Sequence, residues 1–185
     1  MTTPGDRAGA VLTHAQSRPA TLGSGRLVGV DGPAGTGKTT LARQLADLSG
    51  AQIVRMDDLY PGWDGLFEVD REVLGLLQPL SEDRPGSYRR FDWVADEYAE
   101  SHVVEPTPLL VLEGVGAGNR AWRELVTTLV WVEAPDDVRL TRGLERDGEA
   151  YRDHWLRWME DEARLFAREE TRAAAHLVFD TSDVG

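Results

Sequence analysis

Residues 30–40 read Val30-Asp31-Gly32-Pro33-Ala34-Gly35-Thr36-Gly37-Lys38-Thr39-Thr40. They fit the Walker A spacing G-x-x-x-x-G-K-[ST], which binds phosphates because its glycines let several backbone N–H groups converge on one anion. Lys38 adds a charge that reaches the β- and γ-phosphates, and the Thr39 hydroxyl is suited to binding Mg²⁺. The predicted ATP-binding residues are Gly32, Pro33, Ala34, Gly35, Thr36, Gly37, Lys38, Thr39 and Thr40.

The segments on either side of this loop have the structure that the motif requires. The apolar run 27–30 is typical of a buried parallel strand. After the loop, Leu41, Leu45 and Leu48 recur at helical spacing, and Gly50 is a suitable helix end. The order strand, glycine-rich loop, helix favours a true phosphate-binding loop over a chance glycine-rich turn.

Four more short apolar runs alternate with helical patterns along the chain, at 52–56, 109–112, 129–132 and 177–179. Strands that alternate with helices predict an α/β fold, here a three-layer P-loop NTPase fold with a five-stranded, mostly parallel sheet. Residues 1–25 are rich in Gly, Pro, Ser and Thr, so we expect a mobile segment with at most a short helix near 8–16. Residues 26–185 are then expected to form a single domain.

Composition excludes several classes of protein. The chain has 185 residues, 32 acidic and 20 Lys or Arg side chains and a net charge of −12, which argues against nucleic acid as a partner. It has no cysteine, so disulfides and thiolate metal sites are excluded. Without a run of 18 apolar residues or a signal-peptide core, we expect a cytoplasmic protein without a membrane partner. The oligomeric state stays open.

The second predicted strand runs directly into Asp57 and Asp58. In open parallel sheets, ligands bind outside the carboxyl ends of the strands, which is where the phosphate-binding loop also lies. A carboxylate at Asp57 is therefore suited to orienting or deprotonating an acceptor hydroxyl. The alternative is that Asp57 or Asp58 caps the next helix.

Two further groups of charged residues fit phosphate chemistry. Glu113 ends the strand 109–112 at the Walker B position, where a carboxylate lies beside Mg²⁺, although a solvent-facing glutamate is the alternative. Arg139, Arg142 and Arg146 lie three and four residues apart and share one helix face. Such a face can clamp phosphates, or it can be a solvated face paired with nearby acids.

Aromatic residues form a short cluster at 88–94 that is suited to an edge hairpin. Such a cluster can stack a planar ligand or belong to the core. The later helix carries Trp155 and Trp158 on an apolar face, which we interpret as core, and it is expected to extend over 154–174.

Together these sites resemble the uridine kinase-like group of P-loop kinases. The resemblance covers about residues 26–180 and rests on four further matches. They are Asp57-Asp58-Leu59-Tyr60 with Trp63-Asp64, Phe91-Asp92-Trp93-Val94, Glu113-Gly114, and the lid pattern Arg139-Leu140-Thr141-Arg142 followed by Arg146-Asp147. The chain departs from the group at Phe91 and at Asp96, where the group has a Tyr and a His that read the base.

The resemblance implies specific roles. It implies an acceptor-binding insertion at about 60–105 and a lid at about 139–152. Asp57 would be the general base, and Lys38 and Arg142 would act on the transferring group. Thr39 and Glu113 would bind the metal. The implied substrate-binding residues are Asp57, Tyr60, Asp64, Phe91, Trp93 and Arg139, and the implied lid residues are Arg139, Arg142 and Arg146.

We therefore expect a kinase that uses ATP and Mg²⁺ to phosphorylate a hydroxyl of a small metabolite, with a nucleoside favoured as acceptor. One alternative is a kinase for a nucleoside monophosphate or another small metabolite. A second is a nucleotide-binding switch without acceptor chemistry, although a switch has no need of a carboxylate at Asp57. The choice between ATP and GTP stays open.

Overall fold

The computed structural model describes residues 4–182. The strands are β1 (Arg26–Asp31), β2 (Gln52–Arg55), β3 (Gly86–Asp92), β4 (Glu97–Val104), β5 (Leu109–Glu113), β6 (Thr128–Glu133) and β7 (Leu177–Asp180). Five of them form a parallel sheet in the order β2-β5-β1-β6-β7, whereas β3 and β4 form a separate antiparallel hairpin. The predicted α/β fold with a five-stranded sheet is confirmed.

Helices cover both faces of the sheet. They are α1 (Pro4–Ser17), α2 (Lys38–Ser49), α3 (Asp70–Ser81), α4 (Asp136–Asp147), α5 (Arg152–Glu169) and α6 (Thr171–Ala174). Because side chains alternate along a strand, Val28 and Val30 pack with α1 and α2, whereas Leu27 packs in the core of the other face with α3 and α5. No helix within residues 4–182 combines the length and apolar character needed to cross a bilayer.

The N-terminal segment differs from the expectation. Instead of a mobile segment, residues 4–17 form the 14-residue helix α1, which packs against α2. Ala8, Val11 and Ala15 are spaced three and four residues apart and are all buried. Small side chains give this helix a weak apolar signal in the sequence, yet their size lets α1 lie close to its neighbours. Residues 1–3 lie outside the described part.

Helix α3 continues past Pro79 to Ser81, because burial of Leu80 offsets the single hydrogen bond that proline removes near a helix end. One helix boundary differs from the prediction. The long helix expected over 154–174 breaks at Glu170, whose φ of 51° is left-handed, so α5 and α6 are separate. The aromatic hairpin is present as β3 and β4, but it is not an edge of the main sheet.

Candidate active site

The phosphate-binding loop needs glycine at two positions where other elements press against it. Gly32 has φ 136°, and a Cβ there would lie 2.0 Å from the carbonyl oxygen of Val132 on β6. Gly35 has φ 79°, and a Cβ there would lie 2.6 Å from the carbonyl oxygen of Arg139 on α4. The loop is therefore enclosed by the sheet on one side and by α4 on the other.

Lys38 begins α2 and is buried against the loop. Its Nζ donates to the carbonyl oxygen of Pro33 at 2.8 Å, and the Thr36 hydroxyl donates to the same oxygen at 2.9 Å. The Lys38 ammonium group is thus held at the loop in a position close to where phosphates would bind. A positive charge beside the N-terminus of α2 adds to that helix's own preference for anions.

Asp31, just before the first glycine of the motif, is a structural group that the sequence analysis did not single out. Its carboxylate accepts hydrogen bonds from the backbone N–H groups of Gly32, Gly116 and Gly118 at 2.7, 2.9 and 2.8 Å. Complete burial raises the pKa of Asp31 to about 6, although these hydrogen bonds and the Lys38 charge oppose the shift. Asp31 therefore ties the start of the phosphate-binding loop to the loop that follows β5.

Thr39 and Glu113 offer oxygen ligands of the kind that Mg²⁺ prefers. The Thr39 hydroxyl donates to Glu113 Oε1 at 3.2 Å, and Glu113 Oε2 is buried and has no hydrogen-bond partner in the described part of the chain. Burial raises the pKa of Glu113, and the Lys38 charge opposes this. No cluster of three or more His, Cys, Asp or Glu within residues 4–182 forms a metal cage. Mg²⁺ fits this pair because in kinases it takes few protein ligands together with phosphate oxygens.

These groups open into one cavity of about 720 Å³, which we call the central cavity. Residues 34–40 of the phosphate-binding loop and Glu113 form one end of it, except for the buried Thr36. At the other end, Asp57 and Asp58 follow β2 in a single 3₁₀ turn. Burial raises the pKa of Asp58, and the Arg55 charge opposes this. The cavity thus has a phosphate end and, beyond Asp57, an end suited to an acceptor.

Aromatic rings form the wall of this acceptor end. The lining rings are Trp63, Trp93, Tyr151, Trp155 and Trp158. Trp63 is central: it meets Trp93 and Trp158 edge to face, with ring centroids 5.5 and 5.8 Å apart, and it stacks on His154 at 5.3 Å. A ring held on three sides forms a firm apolar surface against which a planar or sugar-like ligand can lie.

The hairpin β3–β4 helps to hold the loop that carries Asp57. The indole N–H of Trp93 donates to the carbonyl oxygen of Asp57 at 2.8 Å, and the Tyr98 hydroxyl donates to that of Leu59 at 3.1 Å. Both bonds join the loop after β2 to residues more than thirty positions later in the chain. Trp93 therefore lines the cavity and also supports the backbone of Asp57.

Four residues implied to contact substrate lie elsewhere. Tyr60 is completely buried, and its hydroxyl donates to the carbonyl oxygen of Val115, so it joins two loops of the core. Phe91 is buried between Trp93 and Tyr98. Asp64 lines a different cavity of about 480 Å³, the outer cavity, which lies on the far side of Trp63 and includes Asp96 and His154.

Arg139 is the fourth, and it differs from the other lid arginines. Arg142 and Arg146 line the central cavity, and Arg146 is paired with Asp147. Arg139 is buried and pairs instead with Glu162 of α5 and with Asp136 of its own helix. The turn of the helix therefore directs Arg139 into the protein, whereas Arg142 and Arg146 reach the cavity.

Sequence reasoning missed two kinds of site residue. Trp155 and Trp158 were assigned to the core, and they are indeed buried, but they also line the central cavity. Arg55 and Tyr151 line it without belonging to any motif. The sequence offers one signal for these residues, which is its tryptophan content. The chain has six tryptophans, and four of them line this cavity.

Comparison with known proteins gives the family and the fold of the chain. A family profile described as an AAA domain matches residues 28–167. The chain belongs to this AAA domain family. The match spans the phosphate-binding loop, the hairpin and most of α5. No curated protein matches the sequence.

The fold of this AAA domain also occurs in solved structures. A protein from Silicibacter sp. TM1040, described as a candidate fructose transport system kinase, has 20% identity and a TM-score of 0.66, covering 97% of this chain and 100% of that one. A possible uridine kinase from Bacillus stearothermophilus has 22% identity and a TM-score of 0.59, covering 84% and 89%. At such identities the likeness shows the fold.

Proposed function

We propose that the protein is an ATP- and Mg²⁺-dependent kinase that phosphorylates a hydroxyl of a small metabolite, with a nucleoside as the favoured acceptor. The observation that carries the proposal is the central cavity, in which Lys38 and Glu113 lie at one end and Asp57 lies between them and an aromatic wall. A nucleotide switch requires the first end of such a cavity but not the second.

The chain's own groups are suited to each part of the transfer. Backbone N–H groups of the phosphate-binding loop and Lys38 bind the β- and γ-phosphates. Asp57 orients the acceptor hydroxyl and takes its proton as that oxygen bonds to the γ-phosphorus. The bond from this phosphorus to the β–γ bridging oxygen breaks, and ADP leaves. Arg142 and Arg146 balance charge that develops on the phosphoryl group.

Thr39 and Glu113 are the residues that would hold Mg²⁺. The ion supplies positive charge beside the phosphates. Glu113 Oε2, which is buried and has no hydrogen-bond partner among residues 4–182, supports this assignment, because a buried polar atom without a partner is costly unless a ligand meets it.

The aromatic wall supports a nucleoside acceptor, since Trp63 and Trp93 provide surfaces for a base or a sugar. Nucleoside monophosphates are the second candidate class, because Arg55 and Arg146 also line the cavity and either guanidinium can pair with a phosphate. A cytoplasmic location stays a prediction from the sequence.

The test is a panel of nucleosides, nucleoside monophosphates and small hydroxyl metabolites with γ-labelled ATP, in which the labelled product is identified. Wild-type protein and Asp57→Asn are run in parallel. Asparagine keeps the size of the side chain but cannot take the proton, so transfer should fall about 10²- to 10⁴-fold while ATP affinity hardly changes.

Asp58→Asn is the matched control, one residue further along the same turn, and its effect should be much milder. If Asp58→Asn were the inactive variant, the base would be assigned one residue too early. If the wild type bound ATP well yet labelled no acceptor, the switch alternative would be favoured over the kinase.

A further inference from the structure

The peptide of Ala34 in the phosphate-binding loop is held on both sides by one buried ion pair. Glu162 of α5 accepts from the Ala34 N–H at 2.8 Å through Oε2, and its Oε1 accepts from Arg139 Nη1 at 2.5 Å. The same Arg139 Nη1 donates to the Ala34 carbonyl oxygen at 3.1 Å. Arg139 and Glu162 belong to different helices and lie 23 residues apart in the chain. Both helices therefore contact the same peptide of the loop.

Two further carbonyl groups of this part of the loop are also bound by side chains from elsewhere in the chain. Thr181 donates to the Thr36 oxygen at 2.8 Å, and Arg142 Nη1 lies 3.5 Å from the Gly35 oxygen. Each of these bonds fixes the carbonyl group of one peptide of the loop. The Ala34 peptide is different, since a carboxylate also receives its N–H.

Stability alone gives a weak reason for this arrangement. Arg139 and Glu162 are only 4% and 1% exposed, and Arg139 Nε has no hydrogen-bond partner among residues 4–182. Removing two charges from water is costly, and replacing a buried ion pair by apolar side chains is often neutral or stabilising. What the pair provides is a defined place for the Ala34 peptide, with both its N–H and its C=O fixed.

We propose that Arg139 and Glu162 are positioning residues for nucleotide binding: they hold the first half of the phosphate-binding loop in the shape that accepts phosphates. This rests on the proposed function only in assuming that a nucleotide binds the loop. It assigns Arg139 a role different from the substrate and lid contacts that the resemblance implied, because the guanidinium acts through Ala34 and not on the substrate.

The negative charge of Glu162 allows a positioning role to be distinguished from a charge effect, because the two predict opposite changes in the affinity for an anion. Glu162 lies close enough to Lys38 for the two charges to interact; burial raises the pKa of Glu162, and the charges of Arg139 and Lys38 oppose this. If Glu162 influenced phosphates only through its charge, its removal would strengthen the binding of an anion. If it positions Ala34, its removal weakens binding instead.

The first experiment therefore measures the affinity of Mg²⁺–ATP without any acceptor, by titration calorimetry, for wild type and Glu162→Gln. Glutamine has a single acceptor oxygen for the two donors, so we expect about tenfold weaker binding. The matched control is Glu160→Gln, which removes the same charge from an exposed site on the same helix and should leave affinity unchanged.

The second experiment separates positioning from stability. Arg139→Met combined with Glu162→Met removes both charges, so thermal unfolding should occur at a higher temperature than in Glu162→Gln, where Arg139 stays buried without its full partner. Affinity for Mg²⁺–ATP should stay at least tenfold below wild type, because nothing holds the Ala34 peptide. Binding is measured well below the unfolding temperature of each variant.

The proposal is overturned if Glu162→Gln binds as tightly as wild type or more tightly. It is also overturned if the Met double variant regains affinity together with stability, since the pair would then be structural only. Failure of the proposed function is a different result: the wild type itself would bind no nucleotide, or would bind it and phosphorylate no acceptor.

Discussion

The phosphate end and the acceptor end of the central cavity are built from the chain in different ways. Residues 34–40 supply most of the phosphate end as one continuous segment, and Glu113 joins it because Val30 and Glu113 are paired across β1 and β5. The rings of the acceptor end come from separate segments, with Trp63 after β2, Trp93 in the hairpin, and Tyr151 and Trp158 after α4.

This difference fits the ligands proposed for the two ends. Phosphates are bound by backbone N–H groups, whose directions depend on local backbone angles, so a short motif is sufficient. A small organic acceptor is bound by side-chain surfaces, which depend on tertiary packing. Substitutions at the two ends should therefore affect different measured quantities.

The largest effect is expected at the phosphate end. Lys38→Ala removes the charge that reaches the β- and γ-phosphates, so phosphotransfer should fall about 10³-fold or more while the fold survives. Steady-state kinetics with the acceptor found in the panel provide the measurement, together with a thermal unfolding curve. Near-normal turnover would contradict the assignment of the phosphate end, and a matching loss of thermal stability would indicate misfolding.

A second effect concerns Asp31 beneath the phosphate end, and it changes stability with pH. Burial raises the pKa of Asp31 from 3.8 to about 6, so between these values the folded protein holds a proton that the unfolded chain has released. The contribution of this group to stability is therefore present below about pH 4 and is lost as pH rises to about 6. Over this range it amounts to up to about 3 kcal/mol.

Asp31→Asn removes this titration. The free energy of unfolding of the variant, relative to wild type, should increase as pH is raised from 4 to 7, as measured by urea titration at each pH. A constant difference between the two proteins across this range would mean that the carboxylate ionises in the folded protein as easily as in the unfolded chain.

Glu113→Gln should affect the metal requirement. The variant keeps its shape but loses the carboxylate charge beside Thr39, so about tenfold more Mg²⁺ should be needed for half-maximal turnover, while nucleotide stays bound. The measurement is a Mg²⁺ titration of turnover at saturating ATP. An unchanged titration would remove Glu113 from the metal site.

The smallest effect is expected at the acceptor end. Trp63→Ala removes the central ring of the aromatic wall, so KM for the acceptor should rise about three- to tenfold while KM for ATP stays nearly constant. Equal changes in both would mean that the two ends are not separate. Phe67→Ala is a matched aromatic control, since this exposed ring does not line the central cavity.

The same contrast explains what the sequence predicts well. The five parallel strands follow from apolar runs, and Thr39 meets Glu113 because parallel strands end at one edge of the sheet. Asp57 lies at that edge for the same reason. These placements depend on strand order and strand ends, which a pattern of apolar residues and one motif are enough to predict.

Residues whose role depends on which way a side chain faces are predicted less well. Tyr60 and Asp64 follow Asp57 closely, yet one is buried in the core and the other faces the outer cavity. The spacing of Arg139 and Arg142 predicts a shared helix face, but Glu162 of α5 forms a buried ion pair with Arg139. Glu162 lies 23 residues away, at a spacing that no local pattern reveals.

The hairpin β3–β4 has a consequence for how such a protein diversifies. It forms no strand pairs with the main sheet, and it reaches the loop after β2 through the Trp93–Asp57 and Tyr98–Leu59 hydrogen bonds. Its tip can therefore gain, lose or exchange residues other than Trp93 without disturbing the parallel strands. Selection or protein engineering can in this way change the surface proposed to meet the acceptor by exchanging one surface module, while Trp93 keeps the backbone of Asp57 in place.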